Sequence, residues 1–172
     1  VGEIKPVVAS LACSGTTSVA TQQAEYVGIH SCSAASLSFG GAKSCKFGCL
    51  GLGDCIMACS FDAMEVGASG IVEINEVNCT GCGLCIDVCP KLCLQMIPRE
   101  HRVNLSCLTE DQGKVVKGFC TVGCIQCSKC IKKCPALAIS FIGEAIVVDH
   151  QTCIAYGPSC NEICVEVCPT EI

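Results

Sequence analysis

The stretch Cys79-Thr80-Gly81-Cys82-Gly83-Leu84-Cys85-Ile86-Asp87-Val88-Cys89-Pro90 decides how this chain is read. Gaps of two residues let three successive thiolates curl around one 4Fe-4S cubane, with the N–H groups between them free to point at sulfur. The three-residue gap then starts a short helix that carries the fourth cysteine away to a neighbouring cluster. A proline after that cysteine has no N–H to lose and a φ suited to a first helical turn. Cys124, Cys127, Cys130 and Cys134, followed by Pro135, repeat the pattern. A structural zinc site usually draws on two C-x2-C pairs separated by a longer spacer, so both runs point to iron-sulfur clusters instead.

Outward from these runs the chain repeats itself. Each unit has a lone-cysteine strand, a second lone cysteine, and two four-cysteine runs. Val8–Cys13 parallels Val103–Cys107, and Cys32 parallels Cys120. The irregular run Cys45, Cys49, Cys55, Cys59 matches the regular one at Cys124, and the run at Cys79 matches the irregular Cys153, Cys160, Cys164, Cys168. Between the runs, Met64–Val66 with Gly70–Ile74, and Ile139–Ile142 with Glu144–Val148, read as hairpins. The expected fold class is α+β, with two tandem bacterial-type dicluster ferredoxin-like modules at 45–98 and 124–172. Segments 1–44 and 99–123 carry the lone cysteines, and the second of these is basic.

Exchange of the fourth cysteine gives four expected ligand sets. They are Cys45, Cys49, Cys55 with Cys89; Cys79, Cys82, Cys85 with Cys59; Cys124, Cys127, Cys130 with Cys168; and Cys153, Cys160, Cys164 with Cys134. The repeated lone positions Cys13, Cys32, Cys107 and Cys120 are candidates for a fifth cubane across the two units, with buried apolar thiols as the alternative. Cys93, which has no repeat partner, is expected to be a buried thiol. His30, His101 and His150 have no companions at ligand spacing and are expected to lie on the surface or in packing.

Composition agrees with metal. Among 172 residues there are 21 Cys but five Phe, two Tyr, three Met and no Trp, so the apolar stock without the thiols is thin. Such cysteine density marks a disulfide scaffold in a short secreted chain and a metal protein in a reducing compartment. Within 91–133, eight Lys or Arg stand against three acids, although the chain as a whole carries a net charge of -5. Lys129, Lys132 and Lys133 make this segment a candidate docking face for an acidic protein. No basic run interleaved with aromatics suggests nucleic acid. There is no glycine-rich nucleotide loop, no haem motif and no flavin or nucleotide site. No stretch approaches the roughly 18 apolar residues of a membrane span. Because the chain begins with Val1 rather than Met, it is expected to be either processed or part of a longer one.

Cys13-Ser14-Gly15-Thr16, Ala24-Glu25-Tyr26-Val27-Gly28, Cys45-Lys46-Phe47-Gly48-Cys49-Leu50-Gly51-Leu52-Gly53-Asp54-Cys55 and Phe61-Asp62-Ala63-Met64 resemble the B subunit of the Rnf complex, its iron-sulfur subunit, over nearly the whole chain. That resemblance implies a membrane-bound ferredoxin:NAD+ oxidoreductase that couples low-potential electron flow to Na+ or H+ translocation. The chain would accept electrons from ferredoxin at the cytoplasmic face of the cell membrane and pass them, through its clusters, towards flavin- and NAD-binding subunits. Members of the family begin with a transmembrane helix and a further Cys-rich motif; neither precedes Cys13, which implies a chain incomplete at its N-terminus. The rival expectation is a freestanding polyferredoxin or the electron-input subunit of another redox complex such as a hydrogenase.

Overall fold

The computed structural model of the chain describes residues 5–172, a mixture of short helices and strands. Strand β1 (Val7–Leu11) is followed by helices α1 (Cys32–Leu37) and α2 (Asp54–Met57), strands β2 (Met64–Val66) and β3 (Val72–Ile74), and helix α3 (Leu84–Asp87). Strand β4 (Leu94–Pro98) and helices α4 (Gly113–Val116) and α5 (Lys129–Lys133) lead to strands β5 (Ile139–Ile142) and β6 (Ala145–Val148), then α6 (His150–Tyr156) and α7 (Ile163–Glu166). Both expected hairpins form. Met64 faces Ile74 in the first, and Ile139 faces Val148 in the second. The second turns through Gly143 at φ 60°, a left-handed conformation that a two-residue hairpin loop requires and glycine adopts freely.

Four of the helices start alike. The residue before α2, α3, α5 and α7 is left-handed: Gly53 (φ 84°), Gly83 (φ 84°), Ser128 (φ 59°) and Glu162 (φ 51°). Two residues beyond each lies a run's third cysteine, at 55, 85, 130 and 164, and four further on its last, at 59, 89, 134 and 168. The reversal turns the chain out of the cysteine loop and into the helix. Helix α2 packs on α3, and α5 on α7, which brings each last cysteine towards the opposite loop.

One expected strand does not form. Val103–Cys107 makes only an isolated bridge, Cys13 to Cys107: one edge of β1 pairs with β4, from Val7 opposite Pro98 to Leu11 opposite Leu94, and the Ala9 N–H donates to Cys79 Sγ instead of to a third strand. The Asn104 side chain also takes a backbone donor that a ladder would use, accepting from its neighbour Leu105 N–H at 2.9 Å, and it donates to the Ser10 hydroxyl.

The main core contains Val8, Ala9, Ala63, Met64, Val72, Leu94 and Ile97, but also Cys49, Cys55, Cys79, Cys85 and Cys93. Five of its twelve buried residues are thus thiols, and metal held by four of them would add its binding energy to folding. Removing iron with a chelator under reducing conditions is therefore expected to abolish most of the circular dichroism. An apoprotein that kept a native-like spectrum and melted cooperatively would contradict this.

Candidate metal centres

The described residues bring the cysteines into groups. Cys85 faces Cys79, Cys82 and Cys59. Cys124, Cys127, Cys130 and Cys168 surround a second position. Cys134 meets Cys153, Cys160 and Cys164 at a third. These gatherings match three of the expected sets, including the exchange of Cys59, Cys134 and Cys168 between runs.

The other two groups differ from expectation by one exchange. Cys32 does not stand with Cys13, Cys107 and Cys120; Cys45 takes that place, and the four line one enclosed apolar cavity. Cys32 instead joins Cys49, Cys55 and Cys89 around another cavity, with Cys93 on its wall. The physical reason is a shifted repeat register. Cys49 N–H donates to Cys13 Sγ at 3.3 Å, and Cys124 N–H donates to Cys107 Sγ at 3.3 Å. Cys49 is therefore the counterpart of Cys124, and Cys45 that of Cys120, each lying four residues earlier behind a Cys-x2-Gly-Cys loop. The first unit has no cysteine matching Cys127, and Cys32 fills the gap from α1.

Asp54 holds Cys32 there. Its carboxylate, at the start of α2, accepts from Cys32 N–H at 2.7 Å, Ser33 N–H at 2.9 Å and Ser31 Oγ at 3.1 Å. It thereby caps α1 from outside, satisfying donors a helix start leaves unpaired. Partial burial works to raise the Asp54 pKa, but the N–H bonds from Ser33 and Cys32 outweigh it and hold the carboxylate below its usual 3.8. Arg99 plays a comparable part, with its guanidinium on the carbonyls of Glu76 and Cys79, each at 2.6 Å. In the irregular last run, Arg102 bonds the Gly157 carbonyl, reaches Cys160 Sγ at 3.9 Å and pairs with Glu162 at 2.8 Å. These three residues carry no ligand chemistry, so motif spacing does not point to them.

Burial, then repulsion from Cys13, Cys107 and Cys120, pushes the Cys45 thiol up; burial, then Cys49, Cys32 and Cys89, pushes Cys55 up to about 12. Cys93 is 2% exposed and its sulfur lies 3.7 Å from that of Cys89. Its hydrogen bonds pull Cys49 and Cys89 down, while those same bonds and burial push Cys93 far up. Neutral thiols must give up protons to bind metal. Among the described residues, no three Cys, His, Asp or Glu side chains converge tightly enough for a single ion, whereas zinc needs each sulfur about 2.3 Å away. Thiol quartets with backbone N–H groups aimed at sulfur, among them Gly15 on Cys13 and Ala9 on Cys79, both at 3.4 Å, fit 4Fe-4S clusters.

His101 and His150 pack edge to face, with ring centroids 6.3 Å apart. Lys129, Lys132 and Lys133 lie on α5, close in sequence to Cys127, which is itself exposed. No helix of the described residues is long and apolar enough to cross a membrane.

Residues 72–95 match the 4Fe-4S binding domain family. Over 162 residues, 94% of this chain, 40% are identical to the B subunit of the Na+-translocating ferredoxin:NAD+ oxidoreductase complex of Acetobacterium woodii. Identity is 42% over 168 residues to the B subunit of the proton-translocating ferredoxin:NAD+ oxidoreductase complex of Clostridium ljungdahlii, and 39% over 157 residues to that of the ion-translocating oxidoreductase complex of Methanosarcina acetivorans. The chain is a homologue of these B subunits. It spans about half the length of the curated relatives it matches, from 47% to 58%.

The cap by Asp54 gives a prediction with a defined sign. Asp54→Ala is expected to cost roughly 1 kcal/mol of local stability, as lost helix caps do, and to make the metal at the Cys32 group easier to extract with a chelator. Because the native pKa lies below 3.8, the advantage of the parent over the variant is complete above ordinary carboxylate titration and fades as pH falls through the lower native value. Equal chelator resistance of parent and variant at neutral pH would refute the role of Asp54.

Proposed function

We propose that the chain is a multi-cluster electron relay with five 4Fe-4S clusters, built as two tandem dicluster ferredoxin-like modules joined by a central site. The observation that carries this reading is that twenty of the 21 cysteines fall into five groups of four, leaving only Cys93 over. Cys45 with Cys13, Cys107 and Cys120 would hold the central cluster; Cys32, Cys49, Cys55 and Cys89 would hold the cluster beside it. The three remaining groups would hold one each. Each cluster, when bound, takes up and releases one electron without a bond being made or broken, so no acid, base or nucleophile is required of the chain. No flavin or nucleotide site belongs to it in this reading.

In its complex the chain would accept low-potential electrons from ferredoxin and relay them towards flavin- and NAD-binding subunits. It would be a peripheral part of a membrane-bound ferredoxin:NAD+ oxidoreductase that moves Na+ or H+, on the cytoplasmic face. The activities of the relatives support this, one belonging to a Na+-translocating complex and another to a proton-translocating one. The entry face would lie at α5, where Lys129, Lys132 and Lys133 accompany exposed Cys127. Opposite charges steer encounter, and an exposed ligand places a cluster edge near the partner.

Two experiments test the reading. In EPR-monitored titrations, Cys45→Ser is expected to perturb the same signal as Cys13→Ser, Cys107→Ser and Cys120→Ser, and Cys32→Ser the same signal as Cys49→Ser. A Cys32→Ser effect confined to the Cys13 signal would overturn the assignment. Charge reversal K129E/K132E/K133E is expected to slow reduction by ferredoxin about tenfold at low salt and to flatten its salt dependence. Unchanged kinetics would remove α5 as the entry face.

A further inference from the structure

Lys43 is the one buried charged side chain among the described residues, 4% exposed. It forms no ion pair among them; its ammonium donates to the carbonyls of Gly15 and Cys49, both at 2.6 Å. A buried ammonium facing only carbonyl dipoles is costly, and such charges are ordinarily paired. Its surroundings indicate what would pair it. Lys43 lines the cavity of Cys13, Cys45, Cys107 and Cys120. Gly15, on one of its carbonyls, also donates its N–H to Cys13 Sγ at 3.4 Å. Cys49, on the other, sends its N–H to Cys13 at 3.3 Å and its own sulfur into the neighbouring cavity with Cys32, Cys55 and Cys89. The ammonium thus sits where two thiol quartets meet.

A cubane with four thiolates is a dianion when oxidised and a trianion when reduced, and its potential follows net charge and hydrogen bonding around it. We propose that Lys43 is the internal counter-charge shared by the central cluster and the cluster of Cys32, Cys49, Cys55 and Cys89, and that it raises the reduction potential of both. The inference rests on the cluster reading above. When ferredoxin supplies one electron, the added negative charge appears beside a fixed positive one, away from solvent that would screen it. Lys43 is a positioning residue in this scheme: it touches backbone rather than iron.

The test is a set of EPR-monitored redox titrations on the anaerobically purified, cluster-loaded chain, with signals assigned by the Cys→Ser variants. Iron and sulfide are counted first in the parent. If the two clusters are absent there, the cluster reading fails and takes this inference with it. With the clusters present, Lys43→Met is expected to lower the reduced-to-oxidised ratio of those two clusters about tenfold at a fixed poise, which for one electron is about 59 mV. The other three signals should stay in place. Lys43→Gln, which keeps N–H donors for the carbonyls but not the charge, should behave like Lys43→Met, and Lys43→Arg should restore the parent potentials. Unmoved potentials in both neutral variants, or an equal shift of all five signals, would overturn the proposal. If the neutral variants fail to load, Lys43→Arg decides: loading with parent potentials supports a role of charge, and failure to load shows that only the shape of lysine matters and overturns it.

Discussion

Everything in this fold depends on keeping like-charged sulfurs together out of water. Thiolates repel one another and burial raises their pKa, so a chain whose main core is nearly half thiol in residue count holds its shape when cationic iron sits among them. The backbone is arranged to the same end. N–H groups of Ala9, Gly15, Cys49 and Cys124 point at sulfur rather than at carbonyl oxygen. Residue 49 concentrates the arrangement: its N–H meets Cys13, its sulfur enters the next cavity, and its carbonyl accepts from Lys43.

The shifted repeat gives the central site its symmetry. Each unit contributes a lone cysteine, Cys13 or Cys107, and the first cysteine of a Cys-x2-Gly-Cys loop, Cys45 or Cys120. The bridge between Cys13 and Cys107 brings the two contributions together at the seam. In the proposed relay this seam is where the halves communicate, and the hydrogen bonds of Cys49 and Cys124 to Cys13 and Cys107 tie each half's own cluster loop to it.

Much of this was legible in the sequence, because spacing within a cysteine run reports local geometry. The short helices after each loop and the expected exchange of Cys59, Cys134 and Cys168 follow from gaps of two and three residues, and the hairpins from the β-branched runs between them. What spacing does not report is which distant segment supplies a missing ligand. The C-x3-C-x5-C-x3-C run looks like a stretched four-ligand motif, yet its first cysteine faces the seam, and Cys32 arrives from α1 because Asp54 caps that helix. The pairing of β1 with β4 is likewise a tertiary outcome. Lys43 reads in sequence as one more surface lysine; only its burial separates it from the others.

The central claim is that five cysteine quartets each hold a cubane, and its most direct measurement is anaerobic quantification of iron and acid-labile sulfide, with EPR of the dithionite-reduced chain. Five 4Fe-4S clusters require about twenty irons and about twenty sulfides per chain and five interacting one-electron centres. Values near sixteen that did not fall further in Cys45→Ser would contradict the central site, and zinc in place of iron and sulfide would contradict the account as a whole.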